Sequence, residues 1–187
     1  MKVKLFIFIL FSALLLNACG KKDKEEKISS QECMRQTTFM GNTFFNDCLG
    51  LSFVSTAPFL YEQNTLGAQE FFFSVPEHKY DLSVSLLDSS EISLDNDEAK
   101  KHFADTSKAL FNLNSPDFEI MKEEYTTIKG LPVLYIAGME GGVIGKFFFF
   151  NNNGHTTCFY MGAKETDYNE ANRHQNNLIR TIRFYKP

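Results

Sequence analysis

Three apolar segments in the C-terminal half, residues 133–139, 143–150 and 156–161, constrain the fold more than anything else in this chain. Gly141-Gly142 separates the first two, and Asn151-Asn152-Asn153-Gly154 separates the second from the third. Glycine and asparagine accept positive φ, so both junctions read as tight hairpin turns. Successive side chains on a strand point to opposite faces. A run such as Phe147-Phe148-Phe149-Phe150 therefore puts rings on both, and a sheet built from it needs cover on two sides.

The rest of the pattern supplies that cover. Residues 49–55 read as a strand stopped by Pro58, and residues 71–75 as a strand ending at Pro76. Residues 80–87 alternate, with Tyr80, Leu82, Val84 and Leu86 on one face and Asp81, Ser83 and Ser85 on the other, the mark of a half-buried strand. A helix starts near Asp95, where Asp97 and Glu98 suit its positive end, and Phe103, Ser107, Leu110 and Phe111 line one side. After Ser115-Pro116, residues 118–128 form a strand, turned by Lys129-Gly130. A final helix begins near Thr166 or Asp167. Its apolar stripe is Tyr168, Ala171, Gln175, Leu178, Ile179 and Ile182, while Asn172, Arg173, Asn176, Arg180 and Arg183 face water. Strands, a helix, at least four strands and a helix predict an α+β fold: an antiparallel β-sheet with helices packed on it, as an α/β/α-type sandwich.

The amino-terminal end gives an address. Lys2 and Lys4 precede an apolar run over residues 5–16, broken only by Ser12. A helix that spans a bilayer takes about 20 apolar residues and a secretory signal roughly 7–15, so this run belongs to the second kind. It ends in Leu16-Asn17-Ala18-Cys19, which resembles the lipobox of bacterial lipoproteins. The resemblance implies that residues 1–18 are a signal peptide and that Cys19 becomes the first mature residue, carrying diacylglyceryl and acyl chains such as palmitate. Gly20 in place of Asp resembles an outer-membrane sorting signal, so the expected location is the cell envelope, lipid-anchored, with the outer membrane facing the periplasm favoured. Residues 19–31 then serve as lipidated cysteine and flexible charged tether, since a stretch such as GKKDKEEKISS buries too little surface to offset its ordering entropy. Residues 32–187 form a single globular domain.

Charge narrows the partners. Taking two lysines off a formal charge of −4 leaves −6 for the mature chain. Such a body gains nothing from a phosphate backbone, which argues against nucleic acid, and nothing from anionic lipid, so the acyl chains do the holding. Three cysteines remain besides Cys19. Cys33–Cys48, closing a short loop near the domain's start, is the preferred pair. Cys48–Cys158 competes, because early and late strands can be sheet neighbours.

Catalytic motifs do not emerge. His78, His102, His155 and His174 fit no HExxH pattern, and no CxxC pair suggests zinc, so neither metal nor cofactor is expected. His155 and Cys158 lie three apart on one strand and so point to opposite faces. Gly145-Lys146 resembles a phosphate loop only superficially, because Glu140 and Phe147 stand where glycine and Ser or Thr would be needed. The neighbouring glycines instead suit a turn or bulge. Asp95-Asn96-Asp97-Glu98 reads as helix capping rather than a calcium loop. Arg173, Arg180 and Arg183 are the one basic surface suited to a partner.

Three further segments stand out: Leu49-Gly50-Leu51-Ser52-Phe53 before Pro58, the turn Ile128-Lys129-Gly130-Leu131-Pro132, and the closing Leu178-Ile179-Arg180-Thr181-Ile182-Arg183-Phe184. Together they resemble the PsbP-like family, including its DcrB-type envelope lipoproteins. The resemblance implies a sheet sandwich with a non-catalytic binding or accessory role and a protein partner in the envelope, an immunity protein against an antibacterial toxin being one concrete form. The rival is an envelope hydrolase whose site is assembled from distant residues such as His155, Asp81 and Cys158.

Overall fold

A computed structural model of the chain describes residues 30–62, 70–87 and 96–186. Residues 1–18, read as a signal peptide, together with Cys19 and most of the expected tether, lie outside these residues. A short helix α1 (Ser30–Arg35) leads into β1 (Thr37–Met40), β2 (Thr43–Asn46) and β3 (Leu51–Val54). Next come β4 (Leu60–Glu62), β5 (Glu70–Val75), a 3₁₀ turn (Pro76–His78) and β6 (Tyr80–Leu87). Helix α2 (Asp97–Leu110) precedes β7 (Glu119–Ile128), β8 (Leu131–Glu140), β9 (Val143–Asn152) and β10 (His155–Lys164). A second 3₁₀ turn (Glu165–Asp167) enters α3 (Tyr168–Thr181), and β11 (Arg183–Phe184) closes the chain.

The strands form two antiparallel sheets. A seven-stranded sheet runs in the order β4-β5-β6-β10-β9-β8-β7, and a four-stranded one in the order β1-β2-β3-β11. The α+β class read from the sequence holds, and the second sheet is the addition. Most of its strands are only four residues long, and β1 with β2 occupies a stretch too short for the alternation of a half-buried strand to stand out.

The double-faced apolar strands are covered as their pattern requires. One face of the large sheet carries Phe73, Leu82, Val84, Phe148, Phe150, Phe159 and Met161, packed against Phe44, Leu51 and Phe53 of the small sheet and Ala171 and Leu178 of α3. The other face carries Leu134, Ile136, Phe147, Phe149 and Cys158 under Phe103 and Ala104 of α2. Phe44 and Phe53 stack at 4.8 Å, and Phe159 meets Phe53 edge-on at 5.2 Å, so aromatic geometry ties the two sheets together. Asn96 caps α2 by accepting the Ala99 N–H at 2.8 Å, the capping role read from the sequence. Leu110, counted on the apolar side of that helix, is 58% exposed, because the last turn runs past the edge of the core.

The turn-or-bulge reading of the glycines holds at Gly141-Gly142 and beside Gly138, where β7 slips register between Ile120 and Lys122, and is corrected at Gly145. Gly141 and Gly142 do make the hairpin turn, at φ of +56° and +76°. Gly138 and Gly145, however, sit within strands, where Gly138 pairs with Gly145 and Gly145 with Gly162 across β8, β9 and β10. This row gives rings room to lie flat on the sheet. A Cβ on Gly138 would come within 2.4 Å of the Phe118 ring, and one on Gly162 within 2.0 Å of the Tyr160 hydroxyl.

The asparagine turn has a second task. Asn152 donates to the carbonyls of Leu49 and Gly50 at 2.8 and 3.1 Å, and Asn153 donates to that of Tyr185 at 3.2 Å. The turn thus fastens both the early β3 entry and the carboxyl end to the large sheet. Gly50 is obligatory there: its φ is +57°, and an added Cβ would meet the Tyr185 carbonyl at 2.0 Å.

Candidate functional site

Two polar side chains are buried beneath α3, and neither is met by a carboxylate in the hydrogen bonds and ion pairs found there. Lys146 projects from β9 with only 3% of its surface exposed. Its ammonium donates to the Asn172 and Asn176 side-chain oxygens, the latter at 3.4 Å, and lies 5.5 Å from the Tyr168 ring centre. These acceptors are neutral, so desolvation pulls the Lys146 pKa down from 10.5 to about 8. Nearby Tyr135 is pushed up to about 12, first by burial and then by Tyr168 and Glu124. Gln175, one helical turn along, is fully buried with both amide atoms unpartnered. Buried polar groups kept at such a cost mark a place where composition answers to something besides stability.

The helix faces differ from expectation here. Asn172 and Asn176 turn toward Lys146 rather than serving only as a wet surface. The signal for Lys146 in the sequence is a lone lysine inside an apolar run.

A cleft of about 360 Å³ opens beside the entry to α3, lined by Lys79, Asp81, Tyr160, Gly162, Lys164 and Asp167 among others. Lys79 is bound to Asp167 at 3.0 Å, which raises its pKa. Tyr160 is pushed up to about 12 by burial, with Asp81, Cys158 and Glu140 adding to it. The phenol thus stays protonated and can donate.

The cysteines divide. Cys33 and Cys48 form a disulfide, with Cα atoms 5.2 Å apart. Cys158 is buried and unbonded, and burial pushes its thiol well above the usual range, which makes it a poor nucleophile. His155 Nε2 lies 3.3 Å from Cys48 Sγ, on the side of the sheet opposite Cys158. His78 and His174 stack on each other at 3.4 Å, and desolvation together with the His78 charge lowers the His174 pKa.

Arg173, Arg180 and Arg183 are all exposed, but they do not form one stripe. Helix α3 ends at Thr181, where Ile182 turns extended, and Arg183 joins β11 opposite Ser52 of β3. Only Arg173 and Arg180 share the outer surface of the helix.

No family model and no curated protein matches the chain. Solved structures do. The chain is similar to cyanobacterial PsbP (CyanoP) from Synechocystis, with a TM-score of 0.57 and 13% identity over 79% of this chain and 95% of that one. It is also similar to a protein from Bacteroides thetaiotaomicron, with a TM-score of 0.50 and 12% identity, over 79% of this chain and 50% of that one. The likeness establishes a PsbP-like fold.

Proposed function

We propose that the chain is a lipid-anchored protein of the bacterial envelope whose PsbP-like domain binds a protein partner without catalysing a reaction. The anchor rests on Cys19 and the leader before it. The binding role is supported by the separation of the groups a hydrolase would need. Asp81 pairs with Gly162 on β10, seven residues from His155, which is about 23 Å along a strand. Cys158 faces the opposite side of the sheet, and the sulfur nearest His155 is already bonded to Cys33. These groups do not converge on one reacting atom. An immunity protein is the concrete form we favour within this reading, since an address, a compact body and a net acidic charge suit capture of a basic toxin.

The test is chemical crosslinking in intact cells, comparing the wild type with Cys19→Ala. One dominant crosslinked partner, lost on removing the anchor, is the expected result. The same adduct in both forms would separate binding from anchoring, and no adduct in either would refute the binding role.

A further inference from the structure

An aromatic patch sits at one edge of the fold. Phe39 of β1 and Tyr61 of β4 lie 5.2 Å apart, tilted, and Phe39 also meets Phe59 and Phe71, each at 6.2 Å. Phe39 is 37% exposed and Tyr61 43%, and their strand neighbours Met40 and Leu60 are 66% and 59% exposed. Phe39 and Tyr61 face each other at the edge where β1 and β4 come together, while Met40 and Leu60, next along each strand, turn to the opposite faces, so this edge is apolar on both flanks. Phe44 and Phe73 hold the base of the patch at 5.8 and 5.6 Å from the Phe39 ring, so the rings do not need to reorganise to be presented.

The position of the patch names its occupant. Phe39 lies nine residues after Ser30, where the described fold begins. Ser30 lies eleven steps along the chain from Cys19, a reach of at most about 40 Å when fully extended. An apolar run and a lipobox-like cysteine precede that segment. Any bilayer holding Cys19 is therefore within reach of the edge that carries the patch. We infer that Phe39 and Tyr61, flanked on the outer faces by Met40 and Leu60, form a membrane-docking edge that inserts at the lipid interface and fixes the orientation of the anchored domain. Tyrosine suits that depth, with an apolar ring and a wet hydroxyl. The inference rests on the lipid-anchored reading above. The opposite edge of the sheet, β7, would then point away, six strand spacings or about 29 Å from β4.

The chain contains no tryptophan, so one introduced tryptophan is a clean reporter. Tyr61→Trp and, as control on β7, Tyr125→Trp would be made in the full chain, purified from membranes and reconstituted with phosphatidylethanolamine–phosphatidylglycerol vesicles. Flotation reports the anchor. Quenching by brominated acyl chains reports the patch. The expected result is flotation of both variants, with a blue shift and strong quenching for Tyr61→Trp and none for Tyr125→Trp. Flotation without quenching of Tyr61→Trp would overturn the docking surface while leaving the anchor intact, as would equal quenching of both variants. Quenching of Tyr61→Trp on a chain that does not float after salt washing would uphold the surface and refute the anchor. Neither signal would refute both, and an unquenched dimer would assign the patch to a second copy of the chain.

Discussion

Replacing Lys146 with methionine should stabilise the protein by up to about 3 kcal/mol at pH 7, an effect opposite in sign to most buried substitutions. The folded-state pKa falls from 10.5 to about 8 because burial disfavours the ammonium. Below pH 8 both folded and unfolded chains hold the proton, so the full cost of burying the charge is present. Between about 8 and 10.5 the unfolded chain holds the proton and the folded chain has released it, so stability gained from this group rises with pH. Methionine fills a similar volume with no charge to desolvate. Urea unfolding at pH 7, 8, 9 and 10 should therefore show a gap between variant and wild type that narrows as pH rises. Comparing two proteins at each pH removes the tyrosines and Cys158, whose raised pKa values work the other way above pH 9. A gap that stays constant would mean the ammonium is not desolvated as its surroundings indicate.

Opening the Cys33–Cys48 disulfide should cost about 3 kcal/mol, the value for a closed loop near 15 residues in the chain-entropy account. The bond ties α1 to the turn before β3, and Cys33 and Cys48 belong to the core between the two sheets. Asn46 bridges the same region, donating to the Cys33 carbonyl at 3.0 Å and accepting the Leu49 N–H at 2.8 Å. These bonds should hold the native arrangement in the reduced chain, so the loss falls on stability rather than on fold. Denaturation midpoints with and without a thiol reductant measure it. Cys33→Ala/Cys48→Ala should match the reduced wild type and be indifferent to reductant. A wild type equally stable in reductant would show that the link contributes nothing.

Much of the fold was legible because its signals were local. Both hairpin turns carried glycine or asparagine where φ is positive, and residues 80–87 alternated cleanly. Phe147 to Phe150 demanded two-sided cover, which α2 and α3 with the small sheet provide. The small sheet itself was hard to see. Its partners β3 and β11 pair residues 131 and 133 positions apart, and β11 is two residues long, so nothing local distinguishes it from a helix tail. Arg183 therefore looks in the sequence like a continuation of the helix arginines. The candidate site was hidden for a related reason. Lys146 takes its significance from Asn172 and Asn176, 26 and 30 residues away, and only the packing of α3 on β9 brings them together. Gln175 read as one member of an apolar stripe, and its unpartnered amide is a property of packing alone.

The proposed lipid-anchored role in the envelope hangs on one atom, the sulfur of Cys19. Mass spectrometry of the protein purified from its native membrane tests it directly. The account predicts an amino-terminal peptide that begins at Cys19, lacks residues 1–18 and carries diacylglyceryl and acyl mass. A peptide that begins elsewhere, or a free Cys19 thiol, would contradict it.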